Sequence, residues 1–172
     1  AIGHQALTAL TTGAGNTAIG YQSLDANTIG QHNVVIGYQA MTTETDADKC
    51  IAIGYQALYT QNYSSGGSIS NVAIGYGSGY ELTTGVDNVM IGTNAMANIG
   101  QASGANNVAI GTASMKGAGG SVASNSANNN VAIGHNSLTA ITTGAFNTVV
   151  GALAGTAMTN DGYSVAVGYK AL

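Results

Sequence analysis

The chain has 172 residues, of which only 6% are charged, against roughly 25% in typical soluble domains; it has 26 glycines and no proline. The formal charge is −4, and the only basic residues are Lys49, Lys116 and Lys170, too few to track phosphates, so nucleic acid is not an expected partner. No apolar run is long enough for a helix to cross a bilayer, so membrane insertion is not expected, and the single Cys50 allows no internal disulfide.

In chain order, one short pattern recurs from the first residues to the last. Aligned on the glycine that follows Ile or Val, the copies fall at Gly3, Gly20, Gly37, Gly54, Gly75, Gly92, Gly111, Gly134, Gly151 and Gly168. The gaps are 17, 17, 17, 21, 17, 19, 23, 17 and 17 residues. A fixed period of this size is the signature of a repeat architecture. Four residues before the glycine stands Asn in most copies: Asn16, Asn33, Asn71, Asn88, Asn107, Asn130 and Asn147, with Cys50 and Ser164 in its place elsewhere. The residue three before is β-branched, the residue two before is usually Ala, and Ile or Val comes directly before the glycine. Three after is Ala or Ser; four after is Leu or Met except at Gly79 and Gly155. A Thr-Thr-Gly turn often follows, as at Thr83-Thr84-Gly85.

The Asn-Val-Ala-Ile segment alternates and is rich in β-branched residues, which predicts a strand. Residues two apart share a face, so Val and Ile should point one way and Asn and Ala the other. The glycine should end the strand in a backbone conformation closed to other residues. The fold class is therefore all-β: a parallel β-solenoid of about ten 17-residue coils, one repeat domain over 1–172. Both ends fall inside a repeat and no signal peptide precedes it, so the chain reads as a fragment of a longer fibre.

The residues in excess of 17 all lie between the Leu/Met position and the next Asn, so they should protrude from one side. The two longest such segments are expected as surface loops at 59–70 and 116–129. Tyr59, Asn62 and Tyr63 in the first, and Lys116, Asn125 and Asn128 in the second, are the candidate binding residues; tolerated loop variation is the alternative. Each coil offers about three sizeable apolar side chains. That is a thin core for one chain, and the small Ala face suggests packing against another surface, most economically in a symmetric homo-oligomer.

Asn-Val-Ala-Ile-Gly, repeated in Gly/Asn/Ser/Thr-rich sequence, resembles the head repeats of YadA-type trimeric autotransporter adhesins. The longer form, Asn16-Thr17-Ala18-Ile19-Gly20-Tyr21-Gln22-Ser23-Leu24, more closely resembles repeats of bacteriophage tail-fibre proteins. The resemblance covers essentially the whole chain. It implies a left-handed parallel β-roll in an intertwined homotrimer that attaches to a cell surface. The autotransporter repeats are usually shorter than 17 residues, and their neck, stalk and anchor are not present in this chain.

Residues that could carry chemistry have blander readings beside the functional ones. His4 and His135 share a repeat position but lie roughly 38 Å apart at strand spacing, too far for one metal ion. The cluster Glu44, Asp46 and Asp48 lacks the glycine and distal acid of a calcium loop and reads as a solvated turn. Gly75-Tyr76-Gly77-Ser78-Gly79 lacks the strand-to-helix setting of a dinucleotide site and reads as a repeat with two side chains trimmed away. Tyr21, Tyr38, Tyr55 and Tyr76 should stack as a ladder, with a sugar-binding stripe as the functional alternative. The Asn column should form a hydrogen-bonded ladder. Asn62-Tyr63-Ser64 matches a glycosylation sequon, a triplet common by chance. Cys50 reads as a buried substitute for Asn.

The sequence therefore predicts no enzyme, no cofactor and no metal. It predicts a structural and adhesive segment of a trimeric fibre, on a virion as part of a phage tail fibre that reaches a cell-surface glycan or protein receptor. One rival is the head of a bacterial surface adhesin. Another is an ice-binding solenoid, for which the Thr pairs are the relevant feature. A hexapeptide-type acyltransferase would need an apolar residue every six positions, which is absent here.

Overall fold

The structure is a computed structural model and describes residues 1–63, 67–98, 103–117 and 126–172. Among the described residues it contains strands, bridges and turns and no helix. Each copy of the repeat forms one three-residue strand. The strands are β1 (Thr17–Ile19), β2 (Val34–Ile36), β4 (Ile51–Ile53), β6 (Val72–Ile74), β7 (Val89–Ile91), β8 (Val108–Ile110), β9 (Val131–Ile133), β10 (Thr148–Val150) and β11 (Val165–Val167), with a short pair β3 (Ala47–Asp48) and β5 (Gly67–Ser68) on another wall.

The nine strands stack in sequence order as one parallel sheet, and each residue pairs with its own repeat position in the next turn: Ile51 with Val72, Ala52 with Ala73, Ile53 with Ile74. Nine strands enclose about eight turns, rather than the ten coils expected from counting glycines. The first copy contributes only the bridge from Ile2 to Ile19. At ~4.8 Å per turn the stack is roughly 40 Å long.

The repeat glycines are forced by two independent constraints. Gly54 has φ +142°, a region that side chains resist, and a Cβ there would lie 2.3 Å from the carbonyl oxygen of Gly75 below it. The next segment bends the chain with non-glycine residues in the left-handed region. Leu24, Met41, Leu58, Met96, Met115 and Leu138 have φ from +49° to +53°. Each costs about 1 kcal/mol or more. The cost is offset because each N–H reaches a carbonyl in the next turn, as from Leu24 to Ala40 at 3.0 Å and from Met41 to Ala57 at 2.9 Å, and because the side chain is buried.

The two strand faces separate as expected, but the inside is the small face. Ala18, Ala52, Ala73, Ala109 and Ala132 are buried, and they pack on Leu24, Met41, Leu58, Met96, Met115 and Leu138 from the opposite wall. The Ala face is therefore closed by the chain's own Leu and Met, not left for another surface. The larger Val and Ile point outward and are mostly half-exposed. The solenoid is narrow, so Ala faces Leu or Met in most turns; Val35, buried in a turn that keeps Met41, is an exception. Where Leu is missing the Ala partner grows: a Cβ on Gly79 would lie 2.9 Å from Sδ of Met90, which occupies an Ala position, and one on Gly155 would lie 3.1 Å from Val149.

The asparagines form an interior ladder. Asn88 donates its backbone N–H to Asn71 Oδ1 at 2.9 Å and its Nδ2 to Gly104 O at 2.9 Å, and the motif repeats through Asn107, Asn130 and Asn147. Cys50 interrupts the column. Gln61 compensates, its Oε1 accepting from Asn71 Nδ2 at 2.8 Å.

Candidate functional surface

The first expected surface loop is largely part of the wall, and so are the described ends of the second. Thr60 and Asn62 donate their N–H groups to Tyr80 O and Thr83 O in the next turn, and Gly67–Ser68 pairs with Ala47–Asp48. In the second segment Asn129 N–H reaches Ala105 O at 3.0 Å. What remains of the loops is residues 64–66 and 118–125, outside the described residues.

The candidate binding residues separate accordingly. Tyr59 lies with its ring stacked on Tyr80 at 5.2 Å, and Tyr63 is half-buried against the core with its N–H held by Glu44 Oε2 at 3.0 Å. Asn128 is committed to the fold: its Oδ1 accepts from Ala105 N at 2.7 Å and its Nδ2 donates to Ser126 O at 2.7 Å. Asn62 is exposed. Asn125 lies outside the described residues. Lys116 is half-buried and lines a groove of about 500 Å³ with Asn98, Asn136, Thr139 and Thr156.

The aromatic ladder runs along one outer flank. His4, Tyr21, Tyr38, Tyr55 and Tyr76 stack in sequence with centroids 5.0–5.5 Å apart and planes within 13°. Each interior ring has both faces covered by its neighbours, so a sugar could reach only ring edges and hydroxyls. Beside it, Gln22 donates to Gln5, Gln39 to Gln22 and Gln56 to Gln39, side chain to side chain, at 2.9–3.0 Å. Several Thr hydroxyls are engaged as well: Thr11 donates to Thr28 O, Thr28 to Thr45 O and Thr142 to Thr159 O.

Two ionisable groups lie in the interior, Glu44, which was expected in a solvated turn, and Cys50, which was expected to be buried. Glu44 is fully buried rather than solvated in a turn. It occupies the inward position that holds Leu82, Ile141 and Met158 in other turns. Burial pushes its carboxyl above the ordinary value of 4.5; backbone N–H groups of Tyr63, Asp46 and Thr45 oppose this, and the charge of Asp46 adds to it. The signal was present, since Glu44 stands seven residues after Gly37 where those apolar residues follow their own glycines. Cys50 is a buried free thiol, pushed up to about 12 chiefly by burial, and so is not a nucleophile at neutral pH.

Among the described residues no group of three or more His, Cys, Asp and Glu could hold a metal ion. Among them, too, no helix is long and apolar enough to cross a membrane. The molecule is a β-solenoid repeat protein whose outer surface carries side-chain columns that run for several turns. Comparison of the chain with family models, curated proteins and solved structures gave no match.

Proposed function

We propose that the chain is a non-enzymatic, structural and adhesive segment of a homotrimeric fibre. In this reading three copies wind as a left-handed β-roll and bury their Val/Ile columns against one another. The fibre belongs to a phage tail on the virion and meets the host cell surface. The observation that carries the reading is the outward strand face. Val34, Ile51, Val72, Val89, Val108 and Val131 form one column and Ile19, Ile36, Ile53, Ile74, Ile91, Ile110 and Ile133 the other, half-exposed and interrupted by no charge. A flat apolar stripe along a parallel sheet is a surface that natural proteins cover. The resemblance of the Tyr-Gln-Ala-Leu repeats to tail-fibre repeats supports the phage assignment. The engaged Thr hydroxyls weigh against ice binding.

Light scattering tests the assembly. The chain is 17.0 kDa, and a solution mass three times that is expected. Ile74→Asp, in the middle of the exposed column, should return it to a monomer. A folded wild-type monomer overturns the trimer.

A further inference from the structure

The groove beside Lys116 lies on the later turns, beyond the end of the Gln ladder. Gln5, Gln22, Gln39 and Gln56 fill the second position after the repeat glycine in the first turns. Later that position holds Gly77, Asn94, Ala113, Asn136 and Leu153, and the amide chain is gone. The groove of about 500 Å³ lies on this flank, within the range of ligand pockets.

We infer that this groove binds an acidic sugar, one whose carboxylate pairs with the Lys116 ammonium. The inference rests on the adhesive part of the fibre reading and names the ligand class for it. Lys49 donates to Ser68 Oγ at 2.8 Å and Lys170 lies 5.3 Å over the Tyr169 ring, whereas among the described residues Lys116 has no such partner. Around the cation stand two amides, Asn98 and Asn136, and two hydroxyls, Thr139 and Thr156. These groups match ring hydroxyls in both donor and acceptor roles. Leu153 supplies an apolar ledge for the carbon face of a ring. One ammonium matches the single charge of a carboxylate. A phosphate dianion favours several cations, and among the described residues Lys116 is the one lysine that lines this groove.

The test uses free glucuronic acid as the probe and glucose as its uncharged counterpart, with backbone amide shifts of the labelled chain as the readout. Glucuronic acid should move Lys116, Thr139 and Thr156 at concentrations at least tenfold below those at which glucose does. Lys116→Gln should remove that difference, and raising salt from 50 to 500 mM should shrink it severalfold. Equal response to the two sugars, or an unchanged response in Lys116→Gln, overturns the site. The solution mass is measured on the same sample. A trimer that ignores glucuronic acid rejects the groove and leaves the fibre, while a monomer that binds it rejects the fibre and leaves the groove.

Discussion

On the turns between Ile2 and Ile74 the outer flank carries an unbroken aromatic stack and an unbroken chain of Gln amides. On the turns between Ile91 and Ile133 the same positions hold Thr93, Thr112 and His135, then Ala152. The interior differs in the opposite sense. Seven residues after the glycine, the turns that follow Gly20, Gly37 and Gly54 bury Asn27, Glu44 and Gln61, and those that follow Gly75, Gly134 and Gly151 bury Leu82, Ile141 and Met158. One half carries its regularity outside and tolerates polar groups within. The other has a varied exterior and, at the described positions, apolar residues within. The backbone ladder is the same in both, so side-chain columns can be exchanged without changing the fold.

Seven substitutions would break or sharpen this comparison. Gly54→Ala should have the largest effect, about 3 kcal/mol or more, because both φ and the Gly75 carbonyl exclude a Cβ. Gly168→Ala, with φ +122° but nothing within 4 Å, should cost only about 1 kcal/mol. Urea midpoints of the two variants measure the difference.

The interior columns come next. Leu82→Ala should cost about 2–4 kcal/mol by leaving a cavity. Asn27→Leu should instead stabilise the chain by about 1 kcal/mol, since both polar atoms of that buried amide lack partners. Opposite shifts in urea midpoint would show that the polar column is tolerated rather than needed.

Glu44 gives the pH dependence. Its folded pKa lies above the unfolded value, so its contribution is full below about 4.5 and is lost as pH rises through the folded pKa. Denaturation of the wild type between pH 4 and pH 8 should therefore show stability falling as pH rises. Glu44→Gln should flatten that fall, and an unchanged slope would assign it to another group.

The smallest effect lies on the exterior. Tyr55→Ala removes two stacking contacts and should cost about 1 kcal/mol, and Thr112→Ala on the later turns should fall within about 0.5 kcal/mol. Thermal melting of both is the measurement.

Much of this architecture was legible from spacing. The glycine period, the three-residue strands, the Asn ladder and the Tyr stack all follow from identical residues meeting at one-turn intervals. What spacing could not give was which strand face is inside. Val and Ile are larger than Ala and suggest a core, but the width available opposite Leu24 or Met41 decides the matter. The Gln61 repair of the Cys50 gap was illegible because it joins residues from different repeat positions. The groove at Lys116 was half legible. The lysine stood out as a candidate, but its neighbours Thr139 and Thr156 come from later turns.

The Asn ladder also gives the molecule a direction. In every link the amide nitrogen of a later turn donates to the oxygen of an earlier one: Asn33 to Asn16, Asn88 to Asn71, Asn107 to Asn88, Asn130 to Asn107 and Asn147 to Asn130. The side-chain dipoles therefore add along the axis, and each amide polarises the next. Each amide is also held by the backbone, its Oδ1 accepting an N–H and its Nδ2 donating to a carbonyl, so the direction of the column is fixed by the fold. Cys50, which carries no amide, separates the block Asn16–Asn33 from the one that begins at Asn71, and so marks where the rod's internal polarity is broken.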